Sequence, residues 1–507
     1  MKSSKIHAVL ISIYPAVSLY TSNLYQVSFT DVLLPLCLIF IIASLASLLL
    51  DLFIKNRTLT RLYMSAFILT AFLYGPLNRL LKGLPFIYGF INGWILSLFI
   101  LILFTGLAVW FRRKIHQPHK ITRFFNFLAI FLFIFPLLSL SSYLFRGFTD
   151  RTGHTLKDTL TVDYNSDIKD TPDIYYLILD RYAGFDTLES LFQYDNSAFL
   201  GFLQNKGFNV KSHDWANYYS SAHSIASSLN MNYLDNTVSS NFSYGKDWKS
   251  IYDLVQDHQA GAILKKFAYR YYHFGSWWWP TSKNRQAYKN VNSGYISEFS
   301  AVFINNTVFL PLAQYLKLPA IDNRYSQWRR ILYQFEVLSQ VSKDKNSTFV
   351  FAHLIIPHEP YVFKSNGQFL NESEDKKFAE NKKYADQLSF LNSKLSILVT
   401  DILEKNPNSV IILQADEGPY PESYEKNKNN FDWKSADYAE INTKMSILNA
   451  VYFPDGNYTQ LNKTNSPINT FRIILNQYFG QNIPLLPDRF YLGNMTYPYN
   501  LLEIKKK

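Results

Sequence analysis

Asp173-Ile-Tyr-Tyr-Leu-Ile-Leu-Asp180 is a continuous apolar run framed by two aspartates. A short run without polar alternation is the form of a strand buried on both faces, as parallel strands are. Thr348–Ile356, Ser409–Gln414 and Ser446–Phe453 repeat the form, and all four are read as parallel strands. Longer stretches with apolar residues three and four apart, such as Leu388–Leu403, lie between them. Strands alternating with helices predict an α/β domain with a central, mostly parallel sheet that begins near Asp173.

Upstream of this domain, apolar stretches approach the ~20 residues that a bilayer core demands. Val32–Ile54, Leu84–Trp110 and Phe124–Leu144 read as spans, while Ile6–Tyr25 carries Pro15, and Leu62–Leu80 carries Pro76 and Arg79. Counting both interrupted stretches gives about five spans. A cleaved signal peptide is the competing reading of the first, but no small-residue cleavage site precedes the next long span. The expected organisation is a transmembrane helical bundle over residues 1–146, a polar juxtamembrane linker over 147–172, and the α/β domain over 173–507.

The formal charge of +11 is distributed unevenly. Residues 1–146 hold 13 of the 50 Lys and Arg but only Asp31 and Asp51 of the 39 acids, so 37 basic residues meet 37 acidic ones afterwards. The later part is neutral, which disfavours a nucleic-acid footprint. The basic excess instead reports topology, because Lys and Arg concentrate in cytoplasmic loops. Lys2, Lys5, Lys55, Arg57, Arg61, Arg112, Arg113, Lys114, Lys120 and Arg123 fall on one side of a five-span bundle, and Arg79, Lys82 and Arg146 on the other. This predicts a multi-pass cell-membrane protein with a cytoplasmic amino terminus and an extracytoplasmic α/β domain. Six spans would reverse the latter.

The single cysteine, Cys37, lies in the second expected span, so thiolate chemistry and disulfides are excluded from the α/β domain. Its roughly 350 residues are enough to bury a core without such staples.

In open α/β sheets, reactive groups gather beyond the carboxyl ends of strands. Asp180 ends the first run, Pro357-His358-Glu359-Pro360 follows the second, and Asp416-Glu417-Gly418-Pro419 follows the third. Carboxylates gathered without cysteine suit a hard divalent cation. Each residue also has a structural reading: Asp180 as a helix cap, Asp416-Glu417 as a solvated turn, and His353 as a satisfied core histidine. The coincidence at three strand ends favours a site. Ser220 to Ser228 read as a loop feeding a helix, whose amino-terminal N–H groups and dipole favour an alkoxide or a bound phosphate or sulfate. Simple helix capping is the alternative. Trp277-Trp278-Trp279-Pro280 reads as core and loop packing, or as a sugar platform or membrane-interface anchor.

The order of Asp, then Ser about 40 residues on, then His-x-Pro-Tyr, then Asp-x-Gly-Pro resembles the alkaline phosphatase superfamily. It is most similar to the sulfatase-like branch that includes lipoteichoic acid synthase and the phosphoethanolamine transferases. The resemblance runs from Pro172–Asp180 to Asn469–Gly480 and Leu485–Tyr491. It implies an alkaline phosphatase-like fold in which Asp180 is the first metal-binding acid, Ser221 the nucleophile and a metal ligand, and His358 a substrate-side histidine. The later metal pair falls on Asp416 and Glu417, where the sequence departs from the family by placing glutamate for histidine. His353 and Arg181 are further candidates for substrate contact.

With Asp180, Ser221, Asp416 and Glu417 as ligands the set is all oxygen, which favours one divalent manganese or magnesium ion, or calcium, over zinc. The activity implied is that of a membrane-anchored, metal-dependent phosphoryl-group transferase of the phosphoethanolamine or glycerophosphate type, or a phosphodiesterase. Its partners would be a membrane lipid donor and an envelope glycan or lipid acceptor. Sulfate-ester hydrolysis is a rival reading, weakened because no Pro or Arg follows Ser221 at the formylglycine spacing. A scaffold with a degenerate metal site is the other, and Glu417 is its support.

Overall fold

A computed structural model of the chain describes residues 6–506 apart from 25, 28, 85–92, 115–117, 150–159, 164–170, 212, 235–245, 294–296, 317–322, 342–343, 345 and 429–430. The chain divides into two compact units. One comprises Met1–Gly153 with Ile296–Asn323, the other His154–Tyr295 with Arg324–Lys507. Most of the expected linker lies outside the described residues.

The first unit is helical: α1 Ile6–Thr21, α2 Phe29–Ile54, α3 Arg57–Phe72, α4 Tyr74–Lys82, α5 Gly93–Lys114 and α6 Pro118–Thr149. Among the described residues, four stretches are long and apolar enough to cross a membrane: Phe29–Leu52, Arg57–Leu81, Gly93–Trp110 and Pro118–Phe145. The first of the five expected stretches, Ile6–Tyr25, forms a shorter apolar helix of 16 residues, α1. Helix α1 packs along α6 and α2. Its His7 is held in the bundle interior, where the backbone N–H donates to Asn126 Oδ1 at 3.0 Å and Nδ1 lies 2.8 Å from Ser65 Oγ. Leu48, Phe127 and Phe135 point outward, as lipid-facing side chains do.

The second unit is built on a seven-stranded sheet of β1 Asp173–Leu179, β2 Asn209–Lys211, β3 Arg270–Phe274, β4 Lys289–Val291, β5 Thr348–Leu354, β6 Ser409–Gln414 and β7 Asn449–Tyr452. The spatial order is β2-β7-β6-β1-β5-β3-β4. The pairs β6·β1 and β1·β5 are parallel, as expected from the buried apolar runs, and β5·β3 and β3·β4, which no such run announced, are parallel as well. The run at Ser446–Phe453 is a correction: β7 is antiparallel to β6. Burial on both faces makes a strand apolar whichever way it points, so apolarity alone did not encode its direction. An antiparallel neighbour also needs no crossover over a sheet face.

Side chains alternate across the strands and split the core into two layers. Leu177, Leu179, Ala352 and Leu354 pack on one face with helices Asn323–Val341 and Glu380–Lys405. Tyr176, Ile178 and Phe351 pack on the other with α7 Ser221–Asn230 and helix Thr470–Tyr478. Odd-numbered β5 residues therefore face α7, and His353 is one of them. A second sheet, the hairpin β8 Phe490–Asn494 and β9 Tyr497–Ile504, braces the start of α7. There Tyr491 N–H donates to the Asn217 carbonyl at 2.9 Å, and the His223 ring lies 2.7 Å from the Pro498 carbonyl.

Candidate metal centre

Strand register assembles the centre. Ile178 is flanked at one rung by His353 of β5 and Gln414 of β6. Asp180 and Asp416, each two residues beyond that rung, leave the sheet side by side, while His353 still belongs to its strand. One ligand atom from each of Asp180, His353 and Asp416 lies within 4.8 Å of the others, and all three residues are buried. His353 Nε2 is 3.3 Å from Asp180 Oδ2 and 3.9 Å from Asp416 Oδ2.

These groups converge without satisfying one another. Asp180 Oδ1, His353 Nε2 and Asp416 Oδ2 are buried and have no hydrogen-bond partner. Such orphaned groups are costly unless a cation meets them. Burial pushes the Asp416 carboxyl up, and the neighbouring charges of Asp180 and Glu417 push it further. Burial also acts against ionised Asp180, but the neighbouring His358, His353 and Arg181 together outweigh it and hold that carboxyl below its usual range. Two carboxylates pressed together in this way require positive charge between them, and the donor set of two carboxylates and an imidazole fits a divalent ion.

The remaining donor positions are locked from behind. His353 Nδ1 is 2.8 Å from Thr281 Oγ1, which is in turn 2.8 Å from Ser276 Oγ. That contact leaves Nε2 to face the carboxylates. Trp278 and the His353 ring meet edge to face with centroids 5.8 Å apart, so part of the tryptophan run is a wall of this centre. Asp416 Oδ1 accepts from the N–H groups of Glu417 at 2.9 Å and Arg181 at 3.2 Å. Arg181 holds a left-handed backbone, φ 59°, to make that turn.

Ser221 is the first residue of α7, and its side chain interacts with the Asp416 carboxylate. Capping does not account for the serine before it: Ser220 makes no side-chain cap bond, and its hydroxyl is instead 2.6 Å from His223 Nδ1. His358 lies beside the group without joining it. Its N–H donates to the Asp180 carbonyl at 3.1 Å, and its ring approaches the Glu359 carbonyl. Burial and the Arg181 charge lower its pKa, so the neutral imidazole is favoured.

Glu417 is not one of the converging ligands. Its Oε1 accepts from Arg181 Nε at 2.8 Å, and Oε2 is 3.1 Å from Lys444 Nζ. Lys444 is wholly buried, donates to the Gly418 carbonyl at 2.9 Å and sits 3.5 Å from the Tyr420 ring centroid. The Arg181 guanidinium is 4.9 Å from the same ring. A Cβ on Gly418 would come within 2.4 Å of the Thr443 carbonyl, so only glycine lets this loop close against the chain at Lys444. The converging set therefore carries an imidazole where an all-oxygen set was expected. Sequence reasoning missed Lys444, Thr281 and Tyr420, which no local pattern marks as partners of the strand ends.

No protein-family model matches the chain, and no curated protein sequence does. Solved structures are similar to it. The C-terminal periplasmic domain of EptC from Escherichia coli, in complex with zinc, is 12% identical over 67% of this chain and 94% of that one, with a TM-score of 0.42. The integral membrane lipooligosaccharide phosphoethanolamine transferase A from Neisseria meningitidis is 11% identical over 76% of this chain and 68% of that one, with a TM-score of 0.41. A putative sulfatase from Bacteroides fragilis is 10% identical over 66% of this chain and 83% of that one, with a TM-score of 0.36.

Proposed function

We propose that the protein is a membrane-anchored, metal-dependent phosphoryl-group transferase or phosphodiesterase that acts outside the cytoplasm on envelope lipid or glycan. The observation that carries this reading is the trio of buried, unpartnered ligand atoms on Asp180, His353 and Asp416 beside a serine at a helix amino terminus. Asp180, His353 and Asp416 would hold the ion, with the Ser221 oxygen completing the set. A divalent cation bound there would supply Lewis acidity and lower the pKa of a coordinated hydroxyl. With an imidazole in the set, zinc joins manganese and magnesium as a fitting ion.

Ser221 Oγ attacks phosphorus in line, the P–O bond to the donor alcohol breaks, and a phosphodiester or phosphoester on Ser221 forms. Neutral His358, beside Asp180, would take up the serine proton and hand it to the leaving oxygen, or hold the donor. An acceptor hydroxyl, or water, then attacks the same phosphorus and releases Ser221. The amino-terminal N–H groups of α7 and the Arg181 guanidinium oppose negative charge on the non-bridging oxygens. The ion pair with Glu417 fixes Arg181 in that place. The amino-terminal helices would hold the site near lipid donors and raise their effective concentration.

The test is metal content of the purified full-length protein together with turnover of phosphatidylethanolamine, phosphatidylglycerol, a simple phosphodiester and a sulfate ester. About one divalent ion per chain with phosphodiester cleavage or transfer supports the reading. Turnover confined to the sulfate ester favours the hydrolase alternative. No ion bound and no turnover would establish a scaffold.

A further inference from the structure

The stretch from Glu298 to Leu316 lies between β4 and β5 of the sheet-bearing unit in sequence, yet it belongs to the helical unit in space. It forms two short helices, Glu298–Asn305 and Leu310–Tyr315, joined by a turn at Asn306–Val308. Glu298 at its start is its one charged side chain, and none follows as far as Leu316.

The turn is seated among the span ends by its backbone. The Asn306 carbonyl accepts from Gly75 N–H at 3.1 Å, Val308 N–H donates to the Ala71 carbonyl at 3.2 Å, and the Val308 carbonyl accepts from Ser97 Oγ at 3.0 Å. A Cβ on Gly75 would fall 2.9 Å from the Asn306 Cα, so the fit is close. Irregular backbone is tolerated at membrane depth only where protein groups satisfy it in this way. The depth follows from α5: Val308 clusters with Leu96 and Ile100. Ile100 lies seven residues inside the Gly93 start of that helix, about 10 Å along its axis at 1.5 Å per residue. That is the depth to which interfacial helices bury their apolar face.

The opposite face of the hairpin continues the lipid-facing surface of the spans. Phe309, Leu312, Tyr315 and Leu316 are 45–74% exposed, as are Trp94 and Leu98 on the adjoining helix. Tyr315 and Trp94 meet edge to face at 5.9 Å, an aromatic pair of the kind found at the bilayer boundary. Arg79 donates to Asn306 Oδ1 at 2.6 Å from the sparsely charged end of the bundle, away from the cluster at Arg112, Arg113 and Lys114.

We propose that Glu298–Leu316 is a re-entrant hairpin whose outer face is covered by phospholipid, inserted at the end of the bundle opposite the Lys/Arg-rich loops. The sheet-bearing chain thereby dips into the bilayer boundary and returns.

The unaltered full-length protein in vesicles of phosphatidylethanolamine and phosphatidylglycerol is photolabelled with a phospholipid bearing a diazirine on its acyl chain. The tryptic peptide Asn290–Lys317 should be labelled comparably to the span peptide Phe124–Arg146, and at least about tenfold above Asn346–Lys364. Labelling at the level of Asn346–Lys364, or crosslinking of the hairpin to a second copy in place of lipid, overturns the proposal. A second measurement uses a bimane probe on Leu312→Cys and on Lys289→Cys in a Cys37→Ser background. Quenching of the former by nitroxide lipid and of the latter by aqueous iodide is expected. Equal iodide quenching at both positions overturns it.

Discussion

The carboxylate of Glu417 lies 3.1 Å from the ammonium of Lys444, and both side chains are buried. Together with Arg181 they form a closed cluster directly beside Asp416. Burial lowers the Lys444 pKa to about 8 against the opposing pull of Glu417, so the pair depends on the acid for its charge at neutral pH. The residue that departs from the family resemblance is thus committed to two cations.

Replacing Glu417 with Gln strands those cations and should cost about 3–5 kcal/mol of stability. Glu417→His, which restores the residue expected from the resemblance, should destabilise comparably and bind no more metal. Thermal melting and metal content read the two effects separately. An unchanged melting temperature with metal lost would make Glu417 a ligand after all.

Thr281 holds the far nitrogen of His353, so Thr281→Val frees the ring to turn. Metal affinity should fall about 10–100-fold with little change in melting temperature. Chelator competition on the full-length protein measures it.

Ser221→Ala should lower turnover at least about a thousandfold while metal stays bound and the fold stays intact. Ser220→Ala, one residue earlier, removes the contact to His223 and should cost only about 1 kcal/mol of stability, with chemistry retained. Equal activity in Ser221→Ala and the parent would refute the nucleophile.

Asp214 offers a pH signature away from the centre. Burial raises its carboxyl from 3.8 to about 6 against the charges of Lys211 and Lys506, and its side chain accepts from Asn449 Nδ2 at 2.8 Å. The folded state therefore keeps a proton that the unfolded chain has released. Stability should fall by about 3 kcal/mol as pH rises from near 4 through 6, then level off. Asp214→Asn should flatten that slope in melting temperature; a slope equal to the parent's would place its origin elsewhere.

Strands β1, β5 and β6 were legible because each is apolar on both faces, and Asp180 and Asp416 were legible as the polar residues that end them. Register was not, and it is register that sets His353 against both acids. In the sequence His353 is only a histidine within an apolar run, a pattern that a core residue and a ligand share. Strands β2 and β4 are three-residue edges without an apolar signature. Lys444 and Thr281 act through tertiary contacts that no spacing announces.

The helical and sheet-bearing units are interleaved along the chain, with crossings near residues 153, 295 and 323. No single proteolytic cut can release one from the other cleanly. A fragment beginning after the last span would still carry Phe303 and Phe309 stripped of the helix that seats them, along with exposed Leu312. Such a fragment should be sticky unless the stretch is excised as well. A continuous chain of the sheet-bearing unit alone would need a new start after residue 153 and one join, between residues 295 and 324.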